Sequence, residues 1–308
     1  MCMLHILGAG SIGLLWAARL QRAGFPVQLI LRNAERLAAW QDHAGQLELT
    51  DTSQQQHVSL TLNAQLPENP EPIHFLLVTT KAFAAETAVR SIRHRLSPDA
   101  EVLLLQNGMG CQQAISRQLP QHRVYYASVT DGAWRPSAHQ LIWAGHGQTL
   151  IGDPRQGPPP EWLTDWQAHG LTLDWHADIM AVLWRKLAVN CAINPLTVLL
   201  DCTNGELLQL AHGRMEELSQ ELQLLLSAFG IPISLDILRT QLDQVIRQTA
   251  ANSSSMRQDI HAGRRTEIDF MLGFALRSAD QLNLAVPALR KLHTELQTYL
   301  ATHGLPLD

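Results

Sequence analysis

Lysine is rare in this 308-residue sequence, which has 20 arginines but only three lysines: Lys81, Lys186 and Lys291. An ammonium group can release a proton in a catalytic step, whereas a guanidinium cannot do so usefully. The lysines are therefore the first cations to consider for acid–base chemistry. Lys291 lies beside Arg290 in a terminal helical pattern, which indicates an ordinary solvated helix face.

Lys186 begins a polar stripe on a predicted helix. Asn190 and Asn194 follow it at four-residue steps in LWRKLAVNCAINP. The three side chains therefore share one helix face, with a drift of about 40° per step. The residues between them are apolar, so we expect the stripe to be half-buried. Such a stripe suits a substrate site or a hydrogen-bond network between helices, and the spacing alone leaves both open.

A second polar segment lies downstream, at 252–269, and contains Ser255 and Glu267. The TEID pattern that starts at Thr266 is typical of a helix N-cap. It predicts Glu267 in a first helical turn, where the helix dipole favours a negative charge. One unbroken helix would hold Ser255 and Glu267 about 18 Å apart. If they share a site, the chain must turn between them, and Gly263 is the candidate.

A GxGxxG pattern directly follows the first apolar run. It consists of Gly8, Ala9, Gly10, Ser11, Ile12 and Gly13. Between a strand and a helix, the first glycine allows a tight turn and the second lets the backbone approach a pyrophosphate. The third lets the helix pack against the strand, and the helix N-terminus supplies N–H donors to the phosphate. The pattern predicts dinucleotide binding, with an ordinary glycine-rich turn as the alternative.

The end of the second predicted strand indicates which dinucleotide binds. NAD sites usually place an acidic residue there, about 20 residues after the glycines. This chain instead has Arg32, and Arg36 follows one helical turn later. A guanidinium fits a 2′-phosphate, so NADP(H) is favoured over NAD(H). The alternative is a pair of solvated surface arginines.

Two regions with different periodicity must position these residues. Apolar runs alternate with helical patterns in the first 150 residues, which predicts a parallel sheet covered on both faces. We expect strands at 3–7, 27–31, 73–79 and 101–105, helices at 11–23 and 84–96, and loops at 51–57, 67–72 and 152–162. Short strands at 124–151 predict a mixed sheet edge. Beyond about residue 176 we expect only helices, at 176–190, 213–229, 234–251, 266–281 and 287–303.

The fold class is therefore α/β, with an N-terminal α/β domain at 1–176 and an all-helical domain at 177–308. The formal net charge of −5 shows no basic excess, which argues against nucleic-acid or anionic-membrane partners. We find no membrane-length apolar run and no signal-peptide pattern, so we expect a cytoplasmic protein. The four cysteines and 14 histidines show no ligand spacing, so we expect no metal site.

Several motifs together resemble one family. They are GAGSIG at Gly8, VTTKA at Lys81, QNGMG at Asn107, LWRKLAVNCAINPLT at Lys186, CTNGEL at Asn204 and SSMRQDIHAGRRTEID ending at Asp269. In this order they resemble the ketopantoate reductases (2-dehydropantoate 2-reductases) as far as about residue 290. The resemblance implies a Rossmann-like domain followed by a helical domain. It also implies NADPH-dependent reduction of 2-dehydropantoate to (R)-pantoate, on the route to pantothenate and coenzyme A.

The resemblance also implies roles for individual residues. Lys186 matches the catalytic lysine, and Glu267 matches a glutamate that contacts cofactor and substrate. The implied substrate-binding residues are Asn107, Asn190, Asn194, Asn204, Asn252 and Ser255. The implied cofactor-binding residues are the six of the glycine pattern with Arg32, Lys81, Asn107, Ala133 and Glu267. The family often has a histidine shortly before Ala133, whereas this chain reads TDGA, which leaves the detail of that loop open.

Two other functions are compatible with the same motifs. One is an NADP-dependent reductase of another 2-keto acid or of a 3-hydroxy acid. The other is a non-catalytic NADPH-binding sensor, which the presence of Lys186 and Glu267 within intact motifs disfavours. In each enzymatic case we expect a monomer or homodimer acting on a small molecule, with no nucleic-acid or membrane partner.

Overall fold

A computed structural model describes residues 2–307, which form two compact units. The first unit contains the chain up to Gln106 together with Cys111–Val182. The second contains Asn107–Gly110 and the chain from Leu183 onward. The division thus falls between Val182 and Leu183 rather than at 176/177. The assignment of the short segment Asn107–Gly110 to the second unit has no counterpart in the sequence analysis.

The strands and the first five helices belong to the first unit. The strands are β1 (Leu4–Leu7), β2 (Val27–Ile30), β3 (Gln46–Asp51), β4 (Gln56–Thr61), β5 (Asn63–Gln65), β6 (Ile73–Val78), β7 (Leu96–Leu104), β8 (Arg123–Val129), β9 (Gly132–Trp134), β10 (Gln140–Gly145), β11 (Thr149–Gly152) and β12 (Asp174–Trp175). The helices are α1 (Ser11–Arg22), α2 (Ala34–Gln41), α3 (Ala82–Ile92), α4 (Cys111–Gln118) and α5 (Glu161–Ala168).

Eight strands form the main sheet, in the order β12-β11-β8-β7-β6-β1-β2-β5. Its pairs are parallel, except for β8 with β11, which is antiparallel. The parallel sheet and the mixed edge are both confirmed. All four residues of β1 are buried. The core beside them contains Trp16 of α1 and Trp166 of α5, whose ring centroids are 6.1 Å apart.

A second sheet, in the order β4-β3-β10-β9, is the part of this unit that the sequence pattern did not predict in full. Its β3–β4 hairpin encloses part of the predicted loop at 51–57. The turn is stabilised by the Asp51 carboxylate, which accepts from the backbone N–H groups of Ser53 (3.0 Å) and Gln54 (3.1 Å).

The second unit is helical. Its helices are α6 (Ile179–Leu199, which begins in the first unit), α7 (Leu207–Leu210), α8 (His212–Ala228), α9 (Leu235–Gln248), α10 (Ser255–His261), α11 (Leu272–Gln281) and α12 (Pro287–Thr302). Helix α6 continues beyond the predicted end at residue 190 despite Pro195 in its interior. A proline there removes one backbone hydrogen bond, but the residues at 191–198 are all buried, and this packing sustains the helix.

The segment around Glu267 differs from the expected helix 266–281. Glu267 precedes a single 3-10 turn, Ile268–Phe270, and α11 begins only at Leu272. Thr266 is buried and makes no capping hydrogen bond, so the prediction of an N-cap there was wrong. The predicted turn at Gly263 is confirmed: its φ is +63°, and its N–H donates to the Ile260 carbonyl at the end of α10.

No helix within residues 2–307 has the length and apolar character needed to cross a membrane.

Candidate functional site

The glycine pattern forms the turn between β1 and α1, and its three glycines meet different requirements. Gly8 has φ +111°, and a Cβ there would lie 2.9 Å from the Thr80 backbone nitrogen. A Cβ at Gly13 would lie 2.0 Å from the Gly8 carbonyl oxygen. At Gly10 an added Cβ would meet nothing within 4 Å. Packing therefore explains Gly8 and Gly13, whereas the bare backbone at Gly10 suits the close approach of a pyrophosphate.

The N-terminus of α1 has the electrostatics that an anion requires. Gly10 is its N-cap and supplies no side-chain hydrogen bond, and the first turn carries no acidic residue. The N–H groups and the positive end of the helix dipole are therefore not neutralised by a neighbouring carboxylate of that turn. The chain's own residues fit a dinucleotide at this turn.

Neighbouring strand ends are fastened to the glycine turn. Thr79 Oγ1 donates to the Gly8 carbonyl oxygen at 2.7 Å. Gln106 Nε2 donates to the carbonyl oxygens of Val78 (2.7 Å) and Thr80 (3.3 Å). The ends of β1, β6 and β7 are thereby linked, and half-buried Lys81 follows directly, as the N-cap of α3. Lys81 was among the residues implied by the family resemblance, whereas no sequence pattern assigned a role to Thr79 or Gln106.

Arg32 and Arg36 lie beyond the end of β2, next to β1 in the sheet. Both side chains are exposed. Asn33 caps α2 by accepting from the Arg36 backbone N–H at 3.0 Å, which fixes the start of the helix between them. Cations at this strand end suit the phosphate of a dinucleotide's adenosine half.

Asp131 occupies the loop that differs from the family pattern. Its carboxylate accepts hydrogen bonds from Arg19 Nη1 (3.2 Å), Trp143 Nε1 (3.1 Å) and the Gly147 backbone N–H (3.1 Å). Burial lowers the pKa of Arg19, and the nearby Asp131 opposes that shift. Half-buried Ala133 pairs with Trp143 across β9 and β10. Asp131 is therefore a structural anchor of the strand that carries Ala133.

The polar stripe lies along α6, as predicted. Lys186 and Asn190 are half-buried, and Asn194 is only 8% exposed. Asn194 Nδ2 donates to the Met271 sulfur at 3.7 Å. One turn on, Thr197 Oγ1 donates to the Asn194 carbonyl oxygen. The stripe thus runs from a partly accessible end at Lys186 to the buried Asn194.

Asn204 and Asn252 are neighbours through the backbone. The Asn204 N–H donates to the Asn252 carbonyl oxygen at 3.0 Å, and Asn204 Nδ2 donates to Thr249 Oγ1 at 2.9 Å. Asn204 is buried, and its Oδ1 has no hydrogen-bond partner among the described residues. The Asn252 side chain is exposed. Two segments 48 positions apart are therefore joined by a backbone hydrogen bond at Asn204 and Asn252.

Ser255 opens α10, and its side chain is exposed. Arg257 links the helix start to the residues just after α6, because its Nε donates to Asp201 Oδ1 at 2.8 Å. Its Nη1 also donates to Ser253 Oγ, just before α10, at 3.2 Å. A hydrogen bond from Arg257, and to a lesser extent one from His261, holds the pKa of Asp201 below its ordinary value. Ser254 Oγ also shares a 2.7 Å hydrogen bond with Thr197 Oγ1 of α6. These contacts fix where Ser255 stands.

Asn107 belongs to the segment that packs with the helical unit. In that segment the Met109 N–H donates to the Phe270 carbonyl oxygen at 2.8 Å. Gly108 has φ +75°, and a Cβ there would lie 2.3 Å from the same oxygen. Phe270 ends the 3-10 turn that follows Glu267, which is 4% exposed. The structure thus brings the half-buried Asn107 loop against the turn that carries Glu267.

Metal and thiol chemistry receive no support from the described part of the chain. Residues 2–307 contain no cluster of three or more His, Cys, Asp or Glu side chains that could hold a metal ion. Burial raises the pKa of the Cys191 and Cys202 thiols, which makes both poor nucleophiles.

The fold and these side chains define a class of protein. A Rossmann-like sheet with a glycine turn before α1, followed by a helical unit whose polar stripe contains Lys186, is an arrangement found in two-domain oxidoreductases. The chain belongs to the ketopantoate reductase family. The family described as Ketopantoate reductase PanE/ApbA matches residues 4–156, and its C-terminal counterpart matches residues 178–299.

Individual relatives agree over nearly the whole chain. A 2-dehydropantoate 2-reductase from Vibrio cholerae serotype O1 is 34% identical over 297 residues, covering 95% of this chain and 96% of that protein. The enzyme of that name from Shigella flexneri is 37% identical over 291 residues, covering 93% and 91%. The family resemblance drawn from the motifs is confirmed, and the chain is an oxidoreductase.

Solved structures show the same fold. A PanE/ApbA family ketopantoate reductase from Ralstonia eutropha JMP134 superimposes with a TM-score of 0.87 at 25% identity, covering 98% of this chain and all of that one. D-mandelate dehydrogenase, solved with NADH and anilino(oxo)acetate, gives a TM-score of 0.88 at 23% identity, covering 99% and 100%. At that identity the second likeness concerns the fold alone.

Proposed function

We propose that this protein catalyses the NADPH-dependent reduction of 2-dehydropantoate to (R)-pantoate, a step towards pantothenate and coenzyme A. One observation carries the proposal: the stripe of Lys186, Asn190 and Asn194 lies on one helix of a chain that aligns with 2-dehydropantoate 2-reductases almost end to end. A ketone reductase needs a proton donor and oriented polar groups, and this stripe supplies both.

The first unit would hold the dinucleotide. The backbone at Gly10 and the N-terminus of α1 suit the pyrophosphate, and the exposed Arg32 suits the 2′-phosphate that distinguishes NADPH from NADH. Lys81 and the Ala133 backbone are the other cofactor-binding residues proposed in the first unit. Asn107 and Glu267, which belong to the second unit, are proposed as cofactor-binding residues as well. When bound, NADPH supplies the hydride that adds to C2 of the keto acid.

Lys186 is the proposed general acid. The ketone oxygen gains negative charge as the carbonyl carbon is reduced, and an ammonium within hydrogen-bond reach stabilises that charge. The same ammonium group then donates a proton to this oxygen, which becomes the hydroxyl of the product. Arginine could supply the charge but not the proton, which explains a lysine in a chain otherwise rich in arginine.

The asparagines and Ser255 are the proposed substrate-orienting residues. Asn190 and Asn194 would hold the ketone and the C4 hydroxyl, because they follow Lys186 along the same face of α6. The exposed groups of Ser255 and Asn252, with buried Asn204, are donors suited to the substrate carboxylate. Glu267 would anchor a hydroxyl of the substrate or of the cofactor.

The decisive experiment is a steady-state assay that follows oxidation of the reduced nicotinamide with ketopantoate, comparing NADPH with NADH. We expect turnover with a preference for NADPH. A panel of other branched 2-keto acids forms the control. Faster turnover of another keto acid would identify that compound as the preferred substrate instead of ketopantoate. If none of the keto acids supports NADPH oxidation, the result would favour a non-catalytic NADPH-binding protein.

A further inference from the structure

Strand β9 is fastened to both ends of helix α1 through arginine contacts. Asp131, directly before β9, accepts from Arg19 near the C-terminal end of the helix. Arg135, directly after β9, donates from Nη1 to the Ala9 carbonyl oxygen at 2.7 Å, in the turn before the helix. The spans agree: from Ser11 to Arg19 the helix rises about 12 Å, and the four steps from Asp131 to Arg135 span about 13 Å in an extended strand. The strand therefore runs along α1 in the opposite direction.

This arrangement brings a permanent positive charge to the glycine turn. Ala9 lies between Gly8 and Gly10, and a Cβ added at Gly10 would meet nothing within 4 Å. A guanidinium stays charged across the physiological pH range and presents several N–H donors in a rigid fork. The hydrogen bond to Ala9 fixes that charge next to the N-terminus of α1, whose dipole also attracts anions.

We propose that Arg135 is a further cofactor-binding residue, which holds the pyrophosphate of the dinucleotide together with the N-terminus of α1. The inference rests on the proposed nucleotide-binding function, and none of the motifs that identify the family assigns a role to this residue. The proposal assigns different parts of the coenzyme to two arginines. Arg32 would read the 2′-phosphate, whereas Arg135 would bind a group that NADPH and NADH share.

The test measures equilibrium dissociation constants of NADPH and NADH by tryptophan fluorescence, without substrate. Trp134, adjacent to Arg135 and 46% exposed, is one of the reporting residues. Arg135→Met removes the charge but keeps most of the length, and Arg135→Lys restores a charge. Arg22→Met is the matched control, because Arg22 is exposed at the opposite end of α1.

We expect Arg135→Met to raise the dissociation constants of NADPH and NADH by the same factor. The factor should be about tenfold or more, as for loss of a charged hydrogen bond. Arg135→Lys should recover most of the affinity, and Arg22→Met should leave it unchanged. The loss of coenzyme affinity in Arg135→Met, relative to wild type, should also shrink as the sodium chloride concentration is raised, because salt screens an ionic contact. A purely structural role would give a deficit that does not depend on salt.

Three results would overturn the inference: unchanged binding in Arg135→Met, weakening of NADPH alone, or a deficit insensitive to salt. Failure of the proposed function is a separate outcome. In that case the wild-type protein would bind neither coenzyme. Wild-type protein that binds NADPH and reduces ketopantoate, with normal coenzyme binding in Arg135→Met, would refute only the role of Arg135.

Discussion

Arg19 and Asp131 form a buried ion pair that joins the helix after the glycine turn to the strand carrying Ala133. Arg19 Nη1 lies 3.2 Å from Asp131 Oδ2, and the two side chains are 8% and 1% exposed. The guanidinium also lies over the rings of Trp16 (4.9 Å to the centroid) and Trp143 (5.4 Å). The pair orders the loop before Ala133 without entering the proposed reaction.

Removing one partner of this pair should destabilise the first unit strongly. Asp131→Ala leaves the Arg19 charge buried without its countercharge, which typically costs about 3–5 kcal/mol. Urea unfolding measures the loss. Asp280→Ala is the control, because its ion pair with Arg290 is exposed on both sides and such pairs contribute about 0–1 kcal/mol. Equal losses in the two variants would contradict the anchoring role of Asp131.

Lys186→Ala should lower kcat by roughly 10²–10⁴-fold, the usual effect of losing a general acid. The dissociation constant of NADPH should change far less, because the glycine turn and Arg32 remain. Lys186→Arg keeps the charge but not the transferable proton, so it should not restore turnover. Lys291→Ala, at an exposed position, should behave as wild type. Near-normal kcat in Lys186→Ala would remove the lysine from the mechanism.

Arg32→Asp should reverse the coenzyme preference. The substitution removes a cation from the proposed 2′-phosphate position and adds a repelling carboxylate. The affinity for NADPH should therefore fall about ten- to a hundredfold. NADH, which lacks that phosphate, should bind almost as before. Titration of both coenzymes against wild type and variant gives the ratio. An unchanged ratio would mean that Arg32 is an ordinary surface residue.

His5 should make the protein lose stability in acid. It is buried in β1, 2% exposed, and burial together with the charge of Arg95 lowers its pKa from 6.5 to about 4. The unfolded chain therefore binds the proton more readily between these values. The free energy of unfolding should fall as the pH drops from about 6.5 to about 4, by at most about 3 kcal/mol.

His5→Leu removes the titrating group and should flatten that part of the stability–pH curve. His212→Gln, which changes an exposed histidine of α8, should leave the curve as it is. Chemical unfolding at a series of pH values compares the three proteins. Persistence of the full acid loss in His5→Leu would assign it to other groups.

The features that the sequence predicted correctly depend on short-range patterns. The glycine turn follows from the fixed spacing of Gly8, Gly10 and Gly13, and the stripe from Lys186 to Asn194 follows from the helical period. Gly263 was the candidate for a turn because Ser255 and Glu267 could share a site only if the chain turned between them. In each case the physical cause lies within a dozen neighbouring residues.

The features that it could not predict depend on long-range contacts. The Arg135 side chain meets Ala9 across 126 positions, and no local pattern marks that pairing. A 3-10 turn stands after Glu267 where a helix was expected, and Phe270 at its end accepts a hydrogen bond from the N–H of the distant Met109. The TEID pattern at Thr266 favoured a cap, and tertiary packing overrode it.

The bond between Met109 and Phe270 limits how the chain can be divided. A fragment ending at Val182 would carry the Met109 loop without its acceptor, and a fragment starting at Leu183 would carry Phe270 without the loop. The second fragment would contain the whole turn after Glu267 but not the loop whose Met109 N–H donates to it. We therefore expect that cutting between the two units yields fragments that must be co-expressed to refold, rather than two self-sufficient halves.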